Sequence, residues 1–487
     1  MGFSTNKSNL ELFFGKMKKI ISKNYRKGNY ETVARLCSAY ATIAYNSNQF
    51  YADKEIENQL KNIAKKIIRH ENAYLENGDK LILFYDGFGL NSRGLVQIYL
   101  KALCKIGRVI YIGPLSCKNK IPDIVSLLKE NGSYIEYLDD KISYIDRTIQ
   151  LNDIVQKYQA KDMFFYSLPN DVVGYMVFAC YEGIFNRYQI NLTDHAFWLG
   201  TDIMDYCIEF RNYGSTISHL YRGIPKEKLI VLPFYPEINE NMCFQGYPEG
   251  ICEKDKFVFS GGALYKTIGG NNNYYKMVSQ LLIKHSDLKF WYAGSGNKSR
   301  INELIKTFPG RVILTDERSD FVEIIKRCVL YLSTYPICGG LMFQYAAKVG
   351  KVPLTLKYDN ITDDFLLNQD RIEIEYDSID GLLLEADKLL SDEKYLADRN
   401  ALMKSCVIDE NEFCDELKNA LKLHKTKHKV IIKNMELTKL IEEYQSRMTS
   451  VEINKLLVQK EQMYLVRYFP VRMMIGIICK VFNKILK

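Results

Sequence analysis

The sequence predicts an α/β protein of two Rossmann-like, doubly wound parallel-sheet lobes, with a helical segment before them and an amphipathic helix after them. Three observations predict it. Apolar runs of strand length alternate with helix-period segments from residue 80 to about residue 231. The alternation restarts at KFVFSGG (256–262) and continues to VPLTLK (352–357). Between the two series, Asn239–Asp255 is polar and rich in Gly, Pro and acids, the composition of an interdomain connection. Strands alternating with helices specify parallel sheets covered on both faces. At ~150 residues per domain, the 487-residue chain has room for about three units.

Residues 1–76 read as helices. LELFFGKMKKII, YETVARLCSAYATIAY and KEIENQLKNIAKKII each place apolar residues three and four apart. After ENGD the period changes, and the first lobe is assigned to 77–245. KLILFYDG, RVIYIG, SYIEYL and DMFFYSL are its strands; RGLVQIYLKAL, DIVSLLKE and 145–158 are helices between them. The chain then passes through NLTDHAFWLG, which ends a further strand, to LIVLPFYPEI. The second lobe, 246–400, has KFVFSGG, DLKFWYAG, RVILTD, VLYLST and VPLTLK as strands. Helices fill 378–425, of which 401–425 are expected to cross back to the first lobe. Residues 426–487 form a helical tail.

Composition narrows the class. Hydrophobic residues at 47% and charged residues at 25% describe a globular chain. The net charge of +8 comes without a basic arm or a basic-aromatic repeat, so no nucleic acid is expected. The twelve cysteines contain no CxxC pair and mostly sit in apolar runs, as at Cys104, Cys180 and Cys328. Reduced, buried thiols and a cytoplasmic location follow, with neither a disulfide framework nor a metal site. The opening MGFSTNKSNLELFF lacks the basic start and continuous apolar stretch of a signal peptide.

Ligands of doubly wound sheets bind at the carboxyl ends of strands, so chemistry is sought in the loops that follow them. SGGALYK (260–266) follows a strand directly. Gly261 and Gly262 let the backbone approach a ligand, and Lys266 can reach a phosphate as a mobile point charge. In PICGGLMFQYAAKVGKVP (336–353), Gly339, Gly340 and Leu341 open a helix after a strand. Unpaired N–H groups and the helix dipole converge there, worth about 0.3–2 kcal/mol to an anion. AGSGNKSR adds Gly294 and Gly296, and ERSD adds Arg318, as candidates for a base or ribose pocket. In DGFGLNSRG, Asp86, Asn91 and Arg93 are expected to face an acceptor cleft, with Asp86 orienting a hydroxyl. In TDHAFWLG, Asp194 adjoins His195, a candidate base or phosphate contact. Read singly, each motif is also the signature of a tight turn, a helix cap or a solvated loop.

At these residues the sequence resembles GT-B glycosyltransferases, most nearly the O-linked N-acetylglucosamine transferase family. HAFWLG followed by DYCIEF resembles that family's WLG segment and the strand after it. LPFYPEI and then ALYK resemble its LP…LYK passage; GRVIL and PICGG are similar to its later strand and to its phosphate loop, PLCNGHTT. The resemblance covers roughly residues 80–360. It implies two lobes facing a cleft, a donor diphosphate held by Lys266 and Gly339–Gly340, a UDP-sugar as co-substrate, and no metal or other cofactor. Leu341 and Met342 stand where the family has His and Thr, and Asn91 stands about where it has a His. The family's long tetratricopeptide array is absent, which argues against a protein acceptor. The paired glutamates of many retaining GT-B enzymes are replaced near Ile337 and Tyr345, which favours inversion.

The last segment, YLVRYFPVRMMIGIICKVFNKILK, follows Glu461 and contains no acid. Arg467, Arg472, Lys480, Lys484 and Lys487 are its basic residues, and Arg472, Gly476, Lys480 and Lys484 fall four apart. The apolar run is shorter than the ~20 residues that cross a bilayer. A helix lying on an anionic leaflet through 463–487 is the expectation, with docking on the protein's own surface as the alternative. The expected protein is a peripheral enzyme of the inner face of the cytoplasmic membrane. It passes a sugar to a glycan or lipid-linked acceptor in bacterial surface polysaccharide synthesis, with His195 and Asp86 as catalytic candidates. Protein glycosylation and a non-catalytic partner role beside another transferase are the alternatives.

Overall fold

The computed structural model describes residues 2–69, 80–90, 95–358, 364–438, 441–442, 450–458 and 460–485. Asn91 and Arg93 lie outside the described residues. The chain forms two compact units, Met1–Pro233 with Glu410–Lys487, and Phe234–Asp409.

The first unit holds a seven-stranded parallel sheet. Its strands are β1 (Leu81–Asp86), β2 (Arg108–Pro114), β3 (Tyr134–Leu138), β4 (Asp162–Tyr166), β5 (Asn186–Asn191), β6 (Tyr206–Glu209) and β7 (Leu229–Val231). They run in the order β3-β2-β1-β4-β5-β6-β7. β1 and β4 are buried almost end to end because helices cover both faces, which is why their sequences are apolar except for Asp86 at the end of β1 and Asp162 at the start of β4. Three helices precede the sheet: α1 (Gly2–Arg26), α2 (Tyr30–Ser47) and α3 (Lys54–Ile67). Asp53 caps α3 by accepting from the N–H groups of Glu55 and Ile56, and so fixes where it begins. Leu36, Tyr40 and Ile43 of α2 pack into the same core as Tyr85 of β1 and Leu457 of the tail.

The second unit holds a six-stranded parallel sheet of β8 (Phe257–Gly261), β9 (Lys289–Ala293), β10 (Val312–Thr315), β11 (Leu330–Leu332), β12 (Pro353–Leu356) and β13 (Glu375–Tyr376). The order is β10-β9-β8-β11-β12-β13. Strand order therefore reverses between β1 and β4 in one unit and between β8 and β11 in the other. Such switch points open a crevice at the carboxyl ends of the two flanking strands.

The second unit starts earlier than the 246 read from sequence. Phe234 and Glu237 are tied to it through their carbonyls, which accept from Gln344 and Tyr345 at 3.4 and 2.9 Å. The whole polar 239–255 stretch also belongs to it, and within it the Gln245 N–H donates to Asp320 at 2.7 Å. At the other end, the helix Glu410–Leu423 belongs to the first unit. There Phe413 meets Tyr99 edge-on at 5.1 Å and Lys105 pairs with Glu410 at 2.5 Å. The cysteines are more varied than their apolar setting suggests. Cys37, Cys207, Cys328, Cys406 and Cys414 are buried, Cys104 and Cys180 are half-buried, and Cys243 and Cys252 in the 239–255 stretch are exposed.

Candidate donor site

The loops after β8 and β11 flank the second unit's switch point, and they carry Lys266 and the Gly339–Gly340 turn. β8 ends at Gly261. Gly262 then takes φ +127°, a conformation that strains any residue with a Cβ. Its N–H donates to Ala293 at 3.0 Å, and the next loop closes over it. A Cβ on Gly294 would collide with the Gly262 carbonyl, and one on Gly296 would sit 3.3 Å from Leu264 Cβ. Gly294 and Gly296, candidates from sequence for a base or ribose pocket, allow the two loops to pack closely. The Leu264 N–H donating to Ser295 at 2.8 Å completes the clasp.

A short 3-10 helix, Leu264–Thr267, aims Lys266 from this clasp. Thr267 Oγ1 pins it by donating to the Leu264 carbonyl at 2.8 Å. The Ile337 N–H reaches the Lys266 carbonyl at 3.3 Å and joins the two switch-point loops. The Lys266 side chain is half-buried, and its ammonium has no hydrogen bond or ion pair among the described residues. Burial pushes its pKa down, an effect only partly opposed by the nearby Cys338 thiol. A half-buried cation with no carboxylate partner among the described residues has the chemistry to take an anion.

The β11 loop is braced from within. Thr334 Oγ1 donates to the Ile337 carbonyl at 2.7 Å, and Cys338 Sγ lies 3.1 Å from Ser333 Oγ. The helix Gly340–Lys348 follows, with no side chain capping it at Gly339. Its first-turn N–H groups point their dipole at the crevice, an arrangement suited to phosphate. Two features depart from the expected bare cradle. Gly339 is buried, and the Phe365 ring lies over Gly340, where a Cβ would collide with it. Gly340 is therefore a packing glycine. Met342 Cε comes within 3.4 Å of where a Gly261 Cβ would be, so an apolar side chain fills space beside that turn. Leu341 is 39% exposed.

Arg318 is committed elsewhere. Its guanidinium grips Asp320 through two bonds of 2.7 Å, donates to the Gly246 carbonyl at 3.1 Å and lies 5.5 Å over the Trp291 ring. It braces the 245–246 segment, and its charge is already neutralised.

In the first unit Asp86 ends β1 at the switch point, but it is fully buried. It accepts from the N–H groups of Phe88 (2.9 Å) and Gly89 (3.1 Å) and from Tyr111 Oη (2.7 Å). Burial raises its pKa, with these donors opposing. Its geometry is that of a loop brace without access to an acceptor hydroxyl.

His195 is better placed, with a side chain 40% exposed and Nδ1 3.5 Å from Asp194. Asp194 is buried and held bidentately by Arg211 at 2.6 and 3.0 Å. Arg222 secures the same loop by donating from one nitrogen to the carbonyls of Thr193, Asp194 and Ala196 at 2.9, 3.0 and 2.6 Å. The helical preface supports it from the other side. Asn48 donates to the His195 carbonyl at 3.0 Å, and the Tyr45 ring lies 6.4 Å from the imidazole. Glu57 of α3 accepts from Gly200 N–H, Thr201 N–H and Thr201 Oγ1 at 2.8, 3.1 and 2.8 Å. Burial and then the like charge of Asp202 push Glu57 up to about 7, although these donors oppose it. Arg211, Arg222, Asn48 and Glu57 were absent from the sequence reading, since no local pattern marks them.

Asp194 predicts an acid dependence. Burial alone would raise its pKa, but the Arg211 charge and the hydrogen bonds from His195 and Arg211 outweigh it and bring the value down to about 2. A carboxyl whose pKa is depressed by folding stabilises the fold above its unfolded value, here 3.8, and loses that contribution as pH falls through about 2. At pH 7 the contribution is roughly 2 kcal/mol at about 1.4 kcal/mol per unit. Asp194→Asn should therefore be clearly less stable than wild type in urea at pH 7, with the gap closing below pH 3. A gap that stays constant across that range would contradict it.

Among the described residues, no group of three or more His, Cys, Asp or Glu is placed to hold a metal ion. No family model matches the chain. No curated protein matches it either. Solved structures do. A mutant O-GlcNAc transferase from Thermobaculum terrenum is 13% identical with a TM-score of 0.52, over 84% of this chain and 81% of that one. A glycosyltransferase from Rickettsia africae is 12% identical with a TM-score of 0.54, over 71% of this chain and 99% of that one. At such identities the likeness is one of fold, and the fold is GT-B.

Proposed function

We propose that this GT-B chain is a glycosyltransferase that moves a sugar from a nucleotide-diphosphate donor, a UDP-sugar, to a membrane-proximal acceptor. The observation that carries the reading is Lys266, a half-buried ammonium with no carboxylate partner among the described residues, on a loop bonded to the one that opens the uncapped helix Gly340–Lys348. Diphosphate charge grows on the leaving group as the glycosidic bond breaks, and fixed donors in a desolvated site stabilise that charge most in the transition state. No metal is needed in this scheme, because the ammonium and the helix N–H groups take the charge. His195 is the group assigned to the acceptor hydroxyl's proton, in a displacement that inverts the anomeric centre. The acceptor is a lipid-linked glycan of a surface polysaccharide, met at the inner face of the cytoplasmic membrane, and the acid-free basic tail supports that choice.

A thermal-shift panel of nucleotides and nucleotide-sugars tests the donor. UDP or a UDP-sugar at 100 times its Kd should stabilise the protein by about 2.7 kcal/mol. A panel without any nucleotide response would remove the assignment. With labelled donor, label is expected in glycolipid; label in polypeptide would replace the acceptor by a protein. A non-catalytic partner role has one observation in its favour, the space filled by Met342 and Phe365 beside Gly261 and Gly340. Donor turnover by the purified chain alone would exclude it.

A further inference from the structure

The helix Pro470–Ile485 meets the rest of its unit through its polar stripe. Gly476 crosses the helix Ser450–Leu457 so closely that a Cβ would collide with the Asn454 carbonyl. Lys480 donates to the Val458 carbonyl at 2.9 Å. Arg472 lies 5.4 Å over the Phe13 ring, and Phe469 and Met473 are buried along the same inward line. Apart from Met473, most of the described apolar side chains of this helix point outward. Val471, Met474, Ile475, Ile477, Ile478 and Val481 are 40–62% exposed. A helix that docked to hide its apolar side would show the reverse pattern. A contiguous exposed apolar face of this kind marks an interaction surface.

The neighbouring helix extends it. Phe13 of α1 lies 5.0 Å from the Phe469 ring, and Lys16 Nζ sits 5.0 Å over the same ring. This brings Leu12, 72% exposed, and Lys16 beside the start of the tail helix. Lys16 and Arg467 bring positive charge there, Glu11 beside Leu12 is an exposed acid, and the chain has no acid after Glu461. Two copies of such a face would repel, whereas an anionic leaflet would attract it. No helix among the described residues is long and apolar enough to cross a membrane.

We propose that α1 and the helix Pro470–Ile485 form one composite surface that lies in the plane of an anionic lipid leaflet. Val471, Met474 and Ile478 enter the acyl boundary, and Lys16 and Arg467 meet headgroup phosphates. The inference deepens the membrane-proximal acceptor reading and rests on it. It differs from attachment by a free tail, because the docked helix and α1 act together.

The full chain, without donor, is sedimented with vesicles of three parts phosphatidylcholine to one part phosphatidylglycerol, and with phosphatidylcholine alone. Partitioning is expected to be at least about tenfold stronger on the anionic vesicles and to weaken with salt. Ile478→Glu and Leu12→Glu, at exposed positions, are each expected to lower it about tenfold with the melting transition unchanged. The full chain failing to sediment, or Ile478→Glu binding as wild type, overturns the surface. Leu12→Glu binding as wild type overturns the share of α1. A wild-type dimer in light scattering that Ile478→Glu dissociates would assign the face to a second copy instead. UDP-induced stabilisation, measured on the same variants, separates the two claims: its retention with loss of vesicle binding supports both, and its absence in wild type sinks the donor reading alone.

Discussion

Lys266→Met is expected to lower kcat/KM by about 10²–10³-fold, the usual loss when one preorganised donor is removed from a developing anion. Met keeps most of the stem's length and apolar contact, so the change is chiefly one of charge. The free protein carries a second signature. Burial depresses the Lys266 pKa, which means that folding disfavours its charged form. Removing that charge should leave the unliganded fold at least as stable as wild type, while UDP no longer shifts its melting point. A site built for function at some cost in stability behaves this way. If the variant melts earlier and keeps full turnover, the ammonium is a structural group and the donor assignment fails.

Arg222→Met is expected to cost about 3–5 kcal/mol in urea unfolding. Arg222 is 2% exposed and supports three carbonyls of the His195 loop from one nitrogen, while another reaches Ser218 Oγ at 3.1 Å. Ser218 in turn donates to the buried Glu209 at 2.5 Å, and Asn191 donates to both Glu209 oxygens at 3.0 Å. Desolvation lowers the Arg222 pKa, and the Glu209 charge is the largest opposing influence. Removing the guanidinium strands the carbonyls and leaves that carboxylate without its cation. Arg222→Lys should recover only part of the loss, since an ammonium cannot match the planar fork. A cost below 1 kcal/mol for the Met variant would show that the loop stands without this clamp.

The alternation of strands and helices was legible because parallel strands buried on both faces are mostly apolar, as LILFY of β1 and FVF of β8 are before Asp86 and Ser260 at their carboxyl ends. β13 was not, since two residues make no run. Strand order is absent from the chain's linear pattern, so the reversal beside β8 that brings the 260–266 and 336–340 loops together required the fold. Glycines were visible as letters, but their reasons were not: Gly262 needs its φ, Gly294 needs the approach of the Gly262 carbonyl, and Gly340 needs room for Phe365. Arg211 and Arg222 find their partners 17 and 26–29 residues away, beyond any local motif. The four-residue spacing of the tail was legible too. That its polar stripe would face inward was not, because the spacing shows which residues share a face and leaves open what that face meets.

A crystal structure of the full chain with UDP tests the central claim most directly. The account predicts the diphosphate between Lys266 Nζ and the N–H groups of Leu341 and Met342, each within hydrogen-bond reach of ~3 Å. Diphosphate bound elsewhere, with Lys266 turned to solvent and the first turn of the helix Gly340–Lys348 contacting no phosphate, would contradict it.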